Sequence, residues 1–208
     1  MKKVIKDLKH GYLRLDPVPS KKEVDEFYAK EFYNANDKYF NNSSLLVQLE
    51  QSDFFKTRWE KIFKICKKKF TDKITDKKIF DIGYGFGQSL LFFRDQKNMQ
   101  VSGIEPSVEG YKYILSKGIP SLNIGIDDLQ NIELNDRYEI VMLLNVLEHL
   151  RDPFQTLTLI KEKLLTSDGL LVLEVPNDFN AFQRVANEEY KLDQWWVVSP
   201  NHINYFSP

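Results

Sequence analysis

A glycine cluster in the middle of the chain is the segment best suited to bind a ligand. Residues 81–88 read DIGYGFGQ, which places Gly83, Gly85 and Gly87 at alternate positions. Glycine has no Cβ, so such a loop can adopt positive φ angles and approach a bound molecule closely. A helix that begins directly after the loop would present its N-terminus to the same molecule. The pattern therefore predicts a ligand-binding loop.

The spacing of these glycines argues against a dinucleotide site. The pattern G-x-G-x-x-G, begun at Gly83, requires its third glycine where the chain has Gln88. Asp81, an acid inside the end of the preceding strand, is also foreign to that pattern. NAD and FAD are therefore not the expected ligands.

An acidic residue follows the glycine loop at an informative distance. Glu105 stands about 20 residues beyond Gly83, at the end of the apolar run VSGI. A carboxylate at the tip of the second strand of a doubly wound sheet can accept two hydrogen bonds from a ribose diol. With a strand before the loop and a helix after it, the combination favours a nucleoside ligand over a plain tight turn.

The elements that must position these residues are short apolar runs alternating with helical patterns. Five strands are predicted from the runs KKIFDI, VSGIEP, SLNIGI, YEIVMLLNV and GLLVLEVP. Helices are predicted from the loop to about residue 96, over residues 107–117, and through residues 148–165. This alternation predicts an α/β fold with a doubly wound, mostly parallel sheet and helices on both faces.

Residues 1–75 lack an alternating strand pattern and are predicted to form a helical lead-in to a domain at residues 76–208. Ser20 and Glu23 have the spacing of a capping box, which marks the start of a helix. A longer helix is predicted over residues 44–70, because apolar residues recur there at intervals of three and four.

Composition excludes several classes of partner. The 29 Lys and Arg nearly balance the 30 Asp and Glu, so no nucleic-acid or acidic-membrane partner is expected. The single cysteine excludes an internal disulfide and a Cys-rich zinc site. The N-terminus MKKVIKDLKH lacks the apolar run of a signal peptide, and no stretch reaches the roughly 20 apolar residues of a membrane span. A cytoplasmic location is expected.

These residues together resemble a known family. DIGYGFG resembles the cofactor-binding loop of class I S-adenosylmethionine methyltransferases, and GIEPS resembles their second-strand acidic motif. Residues 145–177 are similar to the fourth-strand to fifth-strand region of the subfamily that includes ubiquinone-pathway and sugar-modifying enzymes. PNHINYFSP resembles the segment after the fifth strand in bacterial members. The resemblance covers residues 77–208 and implies the Rossmann-like class I methyltransferase fold.

The resemblance also implies an activity, which is methyl transfer from S-adenosylmethionine to a small-molecule acceptor such as a hydroxyl of a sugar or ring compound. It implies that Asp81 and the backbone of the glycine loop, at Gly83, Gly85 and Gly87, hold the methionine end of the cofactor. Glu105 is then expected to hold the ribose hydroxyls. A non-catalytic module that binds the same cofactor is the alternative.

Further site residues are implied by position in the same family pattern. Asp127 or Asp128 is expected beside the adenine, and Asn145 near the methyl donor. Glu148 and His149 match the Glu-His pair of the family.

Methyl transfer from a sulfonium requires alignment and exclusion of water more than it requires an acid or a base. A base helps when the acceptor is a hydroxyl, and a histidine, with a pKa of about 6.5, suits that task. His202 is the predicted catalytic residue on the acceptor side, and His149 is predicted to hold the shape of the site. For both histidines a purely structural role is the alternative.

Two further expectations concern the last part of the chain. The aromatic residues there, namely Trp195, Trp196, Tyr205 and Phe206, either line an acceptor pocket or pack in a core. Scattered histidines and the absence of an acidic D-x-D-x-D-G loop predict no metal site.

Class I methyltransferases usually have seven strands, and the last two form an antiparallel pair. Only five are predicted before the sequence stops at residue 208, so the last two strands are expected to be missing. The fifth strand would then leave an open sheet edge, which favours pairing with a second copy as a homodimer.

Overall fold

A computed structural model describes residues 3–27, 53–132 and 136–207 of the 208-residue chain. The described residues form two compact units. The sheet unit contains residues 53–132, 136–144 and 154–173, and the terminal unit contains residues 3–27, 145–153 and 174–207.

Strands and helices are numbered in chain order over the described residues. The strands are β1 (Lys3–Lys6), β2 (Leu13–Asp16), β3 (Lys78–Ile82), β4 (Gln100–Ile104), β5 (Ser121–Leu122), β6 (Tyr138–Leu144), β7 (Leu165–Glu174) and β8 (Asn204–Tyr205). The helices are α1 (Lys21–Phe27), α2 (Asp53–Phe70), α3 (Gln88–Lys97), α4 (Val108–Ser116), α5 (Pro153–Leu159) and α6 (Ala181–Glu188). A wider helical turn, Ile160–Leu164, continues α5.

The sheet unit is built on a five-stranded sheet in the order β5-β4-β3-β6-β7. β3 pairs in parallel with both β4 and β6, and β4 pairs in parallel with β5. β3 and β6 are apolar runs that are buried along nearly their whole length, as expected for parallel strands covered on both faces. The sheet grows outward from β3, with β4 and β5 on one side and β6 and β7 on the other. The strand order reverses at β3, so a ligand crevice is expected at the carboxyl end of this strand. The doubly wound fold is confirmed.

Helix α2 covers one face of this sheet. Trp59, Ile62 and Cys66 are buried in the same apolar cluster as the sheet strands, and the rings of Trp59 and Phe92 lie 5.6 Å apart. These three residues recur at intervals of three and four, which is the pattern that predicted the helix. The helix is confirmed over Asp53–Phe70, and its predicted start over residues 44–52 lies outside the described residues.

Two predicted elements are shorter than their sequence patterns. The run SLNIGI contributes only the two residues of β5, because the side chain of Asn123 turns back and donates to the carbonyl oxygens of Glu105 and Pro106. The predicted helix over residues 148–165 is interrupted and restarts at Pro153, since proline is well suited to the first helical position and has no N–H to donate to a preceding turn.

The terminal unit contains a small sheet in the order β1-β2-β8. β1 and β2 form an antiparallel hairpin, and β8, from the other end of the chain, pairs with β2. The hairpin was not predicted from the sequence, because β1 (KVIK) lacks an apolar alternation and β2 (LRLD) alternates over only four residues. Leu15 is the only fully buried residue in the two strands. α1 begins with the predicted capping box, in which Ser20 and Glu23 each accept a hydrogen bond from the other's backbone N–H.

Among the helices of the described ranges, none combines the length and the apolar character needed to cross a membrane.

β7 lies at one edge of the described sheet. The homodimer through an open edge and the domain boundary at residue 76 stay predictions.

Candidate functional site

The glycine loop leaves β3 with three residues in the left-handed region. Gly83, Gly85 and Gly87 have φ angles of 70°, 59° and 68°, which explains why glycine occupies each position. Gly83 donates to the carbonyl oxygen of Ile104 at 2.8 Å, and this bond ties the loop to the end of β4. A Cβ at Gly85 would meet no atom within 4 Å, so the loop borders open space there. That space is available to a ligand.

Glu105 follows β4 and reaches the glycine loop. Its side chain is buried, and its two oxygens accept the backbone N–H groups of Gly85 at 2.8 Å and Ser107 at 2.9 Å. Burial raises the pKa of Glu105, while these two hydrogen bonds act in the opposite direction. Each carboxylate oxygen has a second lone pair, so Glu105 can also accept hydrogen bonds from a diol.

Asp81, the one acidic residue of β3, is only 1% exposed. Its Oδ2 accepts a hydrogen bond from the hydroxyl of Ser89 at 2.6 Å, while Oδ1 has no hydrogen-bond partner among the described residues. Burial raises the pKa of Asp81 to about 7, although Ser89 and the positive charge of Arg58 lower it. A buried carboxylate oxygen without a donor is costly, so a ligand that brings an N–H or ammonium group would stabilise it.

Two residues of the site were not predicted. Ser89 orients Asp81, and Gln88 is buried at the start of α3 with its Nε2 lacking a hydrogen-bond acceptor in the described part of the chain. In the sequence, Gln88 counted only as the residue that breaks the dinucleotide pattern. Its position could have indicated a role in the site, because the first residues of a helix that follows a ligand-binding loop lie next to the ligand.

Other predicted cofactor residues are exposed. Asp127 and Asp128 lie on a 3₁₀ turn, Ile126–Asn131, which is anchored by the buried side chains of Ile126 and Leu129. Since both acids are exposed, the fold does not distinguish between them. Asn145 directly follows β6 and is exposed, with a φ angle of 59°. Its backbone N–H donates to the backbone carbonyl oxygen of Glu174 at 2.8 Å.

The terminal unit brings Glu148, His149 and His202 together. Glu148 is 1% exposed, its Oε1 lies 3.7 Å from Nε2 of His149, and the two imidazole centroids are 5.1 Å apart. His149 Nδ1 lies 2.9 Å from the carbonyl oxygen of Asn201; a carbonyl only accepts, so Nδ1 carries the proton. Burial lowers the pKa of His149 to about 4 and also lowers the pKa of His202. Both imidazoles are therefore neutral near pH 7.

Backbone and side-chain hydrogen bonds hold this cluster together. Ile203 donates its N–H to the carbonyl oxygen of Glu148 at 2.8 Å. The side-chain amide of Asn204 donates to the carbonyl oxygens of Leu147 and Leu150 at 3.2 and 2.6 Å. The two histidines, far apart in the sequence, are thus placed side by side by bonds between their neighbours.

The aromatic residues near His202 divide between core and surface. Trp196 and Tyr205 are buried, and both rings pack edge-on against Phe179 at centroid distances of 5.6 and 5.5 Å. Trp195 is 52% exposed. Trp196 and Tyr205 therefore form part of the core of the terminal unit.

Several solved structures are similar to this chain. A SAM-dependent methyltransferase from Archaeoglobus fulgidus shares 21% identity over 86% of this chain and 69% of its own, with a TM-score of 0.55. The sugar N-methyltransferase KedS8 from Streptoalloteichus shares 15% identity over 66% and 55%, with a TM-score of 0.53. The plantazolicin methyltransferase BamL, in complex with SAH, shares 16% identity over 73% and 56%, with a TM-score of 0.51. The likeness shows a common fold, and the chain spans little more than half the length of the last two.

Sequence comparison identifies the family directly. No curated protein matches the chain. The family model described as a methyltransferase domain matches residues 54–208, which include the glycine loop, Glu105 and both histidines of the terminal unit. The chain belongs to this methyltransferase-domain family.

Proposed function

We propose that the protein transfers a methyl group from S-adenosylmethionine to a small-molecule acceptor. The observation that carries this proposal is the arrangement of Glu105, which is buried, anchored by two backbone N–H groups, and in direct contact with the glycine loop through Gly85. Family membership supports the reaction class.

The polar groups of the site fit the cofactor. Glu105 retains lone pairs for the two hydroxyls of a ribose. The buried Oδ1 of Asp81 lacks a donor among the described residues, and the ammonium group of the methionine moiety would supply one. Open space at Gly85 lets the ligand approach the backbone between these two acids.

The cofactor supplies a methyl group on a positively charged sulfur, which leaves as a neutral thioether. The chain contributes alignment: Glu105 fixes the ribose, Asp81 fixes the amino group, and the glycine loop holds the backbone between them close to the ligand. Each of these groups is already held in place by the fold, so little reorganisation is needed on binding.

On the acceptor side we assign His202, with His149 holding the shape of the site. The His202 imidazole is neutral near pH 7, so it has a nitrogen lone pair that can accept the polar hydrogen of an acceptor. A hydroxyl of a sugar or ring compound is the acceptor class we favour. The fold similarity to a sugar N-methyltransferase supports a sugar acceptor, although that neighbour methylates nitrogen and not oxygen. The proton-accepting role of His202 stays a prediction.

Calorimetric titration tests the cofactor assignment. S-adenosylhomocysteine is expected to bind with one site per chain, and NAD is expected not to bind. NAD binding without S-adenosylhomocysteine binding would overturn the assignment. Labelled S-adenosylmethionine incubated with fractionated metabolite extracts then tests turnover, and binding without transfer to any fraction would identify a non-catalytic module.

A further inference from the structure

The cluster of Glu148, His149 and His202 in the terminal unit has the chemistry of a metal site. One ligand atom from each residue lies within 4.8 Å of the other two. We propose that these three side chains bind a divalent transition-metal ion, with zinc as the best-fitting ion. The proposal goes beyond cofactor binding, which uses none of these residues, and departs from the expectation of no metal site.

The contact between Glu148 and His149 is the first argument. Nδ1 of His149 carries the proton, because it donates to the carbonyl oxygen of Asn201. Nε2 therefore has a lone pair, and it lies 3.7 Å from Oε1 of Glu148. Two acceptors at this distance repel each other, and a cation between them removes the repulsion. An ion between Oε1 and Nε2 would therefore stabilise this contact.

The distances suit a first-row ion. A tetrahedral ion with bonds of about 2.1 Å separates its ligand atoms by roughly 3.4 Å. The separation of 3.7 Å between Glu148 and His149 is close to that value, and the ligand atoms of all three residues lie within 4.8 Å of one another. Two histidines and one glutamate form a ligand set that zinc uses where one coordination position stays open. Nitrogen and carboxylate ligands also suit cobalt and manganese.

An outer layer of acceptors orients both imidazoles. His149 donates from Nδ1 to Asn201, and Nδ1 of His202 lies 3.9 Å from Oδ2 of Asp178. Nδ1 of His202 and Oδ2 of Asp178 are both buried without a hydrogen-bond partner in the described part of the chain. If His202 binds the ion through Nε2, its Nδ1–H faces Asp178, and a modest shift completes the carboxylate–histidine–metal arrangement common in metalloproteins.

Asp178 is itself held in position. Its other oxygen, Oδ1, accepts from Nε2 of Gln183 at 3.4 Å, and its backbone N–H donates to Phe206 at 3.2 Å. The outer layer therefore belongs to the folded terminal unit. This step rests on the proposed function and gives His202 a different part in it: with the ion bound, His202 acts as a ligand and not as a proton acceptor. The open coordination position would bind the acceptor oxygen, and the ion would lower the pKa of a bound hydroxyl.

Cobalt titration of the full chain tests the site. After dialysis against EDTA, Co²⁺ is expected to bind once per chain and to give the visible absorption bands of a four-coordinate ion, which Zn²⁺ then removes. His202→Ala and Glu148→Gln are each expected to weaken binding at least 100-fold. Asp178→Asn is expected to weaken it about 10- to 100-fold, as is usual for outer-layer partners.

A matched control is His10→Ala, which removes an exposed histidine beside Asp7 and is expected to leave the Co²⁺ spectrum unchanged. Equal Co²⁺ affinity in the wild type and in both ligand variants, each shown by circular dichroism to be folded, would overturn the proposal. So would the absence of binding at millimolar Co²⁺. S-adenosylhomocysteine titration of the same samples separates this outcome from failure of the cofactor assignment, because His202→Ala is expected to retain cofactor binding and Glu105→Ala to retain Co²⁺ binding.

Discussion

At the scale of single residues, the two acids of the glycine-loop region are buried in different ways. Glu105 has a backbone N–H group on each oxygen, so its negative charge is solvated by the protein. Asp81 has one hydroxyl donor on Oδ2 and none on Oδ1 among the described residues, and burial therefore raises its pKa to about 7. Asp81 is thus the acid whose charge state depends on whether a ligand is present.

The raised pKa of Asp81 predicts pH-dependent cofactor binding. An ammonium group binds the ionised carboxylate, so S-adenosylhomocysteine affinity is expected to rise with pH up to about 7, by about tenfold per unit below that value. The unliganded protein is expected to lose stability as pH rises from 3.8 to about 7, because the folded state holds the proton more tightly. Calorimetry between pH 5.5 and 8 measures the affinity.

Asp81→Asn is the control for this prediction, because it keeps the shape and removes the titration. Its S-adenosylhomocysteine affinity should be weak and nearly independent of pH. A wild-type affinity that does not change between pH 5.5 and 8 would contradict the assignment of Asp81 to the amino group.

A second prediction compares Glu105 with an exposed acid. Glu105→Ala removes hydrogen bonds to the ribose that are each worth about 1.5–3 kcal/mol, so S-adenosylhomocysteine affinity is expected to fall at least 100-fold. Asp128→Ala is expected to cost much less, since Asp128 is exposed and solvated. Calorimetric titration measures both, and equal affinities for wild type and Glu105→Ala would show that the carboxylate does not contact the ligand.

A third prediction concerns the two histidines. With any acceptor that supports turnover, His202→Ala is expected to lower kcat with little change in cofactor affinity or melting temperature. His149→Ala is expected to lower stability as well, by about 1–3 kcal/mol, because it removes a partly buried ring and the hydrogen bond to Asn201. Steady-state kinetics and thermal unfolding separate the two effects. Full turnover in His202→Ala would end its acceptor-side assignment.

At the scale of elements, helix α4 supports the glycine loop from outside. Its N-cap is Ser107, the residue whose N–H also binds Glu105, so the start of the helix and the ribose-binding acid share one short segment. Gly110, in the first turn of α4, lies so close to the loop that a Cβ there would collide with the carbonyl oxygen of Gly85. The helix therefore limits where the loop can lie.

This contact predicts the effect of Gly110→Ala. Helix propensity alone would stabilise the variant by about 1 kcal/mol. The collision is with backbone atoms, which cannot rotate away, and overpacking of this kind costs about 1–3 kcal/mol. We therefore expect a lower melting temperature and S-adenosylhomocysteine affinity reduced about tenfold or more. Gly125→Ala is the control, since its Cβ would make only an ordinary contact at 3.8 Å with Asp128; a Gly110→Ala variant as stable as wild type would refute the packing argument.

At the scale of the whole molecule, cofactor binding should be visible as added stability. A ligand that binds only the folded protein stabilises it by about 2.7 kcal/mol at 100 times its Kd. S-adenosylhomocysteine is therefore expected to raise the melting temperature, and NAD at the same concentration is expected to leave it unchanged. Differential scanning calorimetry measures both. No shift at millimolar S-adenosylhomocysteine would contradict the cofactor assignment.

The cofactor side of the site was predictable because its residues are local. Asp81, the glycine loop and Glu105 lie within one strand–loop–helix–strand unit, and the loop binds through backbone groups that any sequence with these glycines presents. Element order then follows from alternating apolar runs. The positions of Ser89 and Gln88 were not predicted, because a polar side chain next to a loop gives no periodic signal.

The arrangement of residues in the terminal unit depends on tertiary contacts and could not be predicted from the sequence. The hairpin of β1 and β2 is completed by β8, and Glu148 and His149 meet His202 only because Ile203 and Asn204 bond to the backbone around Glu148. These contacts join residues more than fifty positions apart. The sequence around one partner contains no pattern that predicts the position of the other. Sequence spacing determines chemistry within a continuous unit. Chemistry assembled from distant segments depends on packing and on hydrogen bonds that form only in the folded chain.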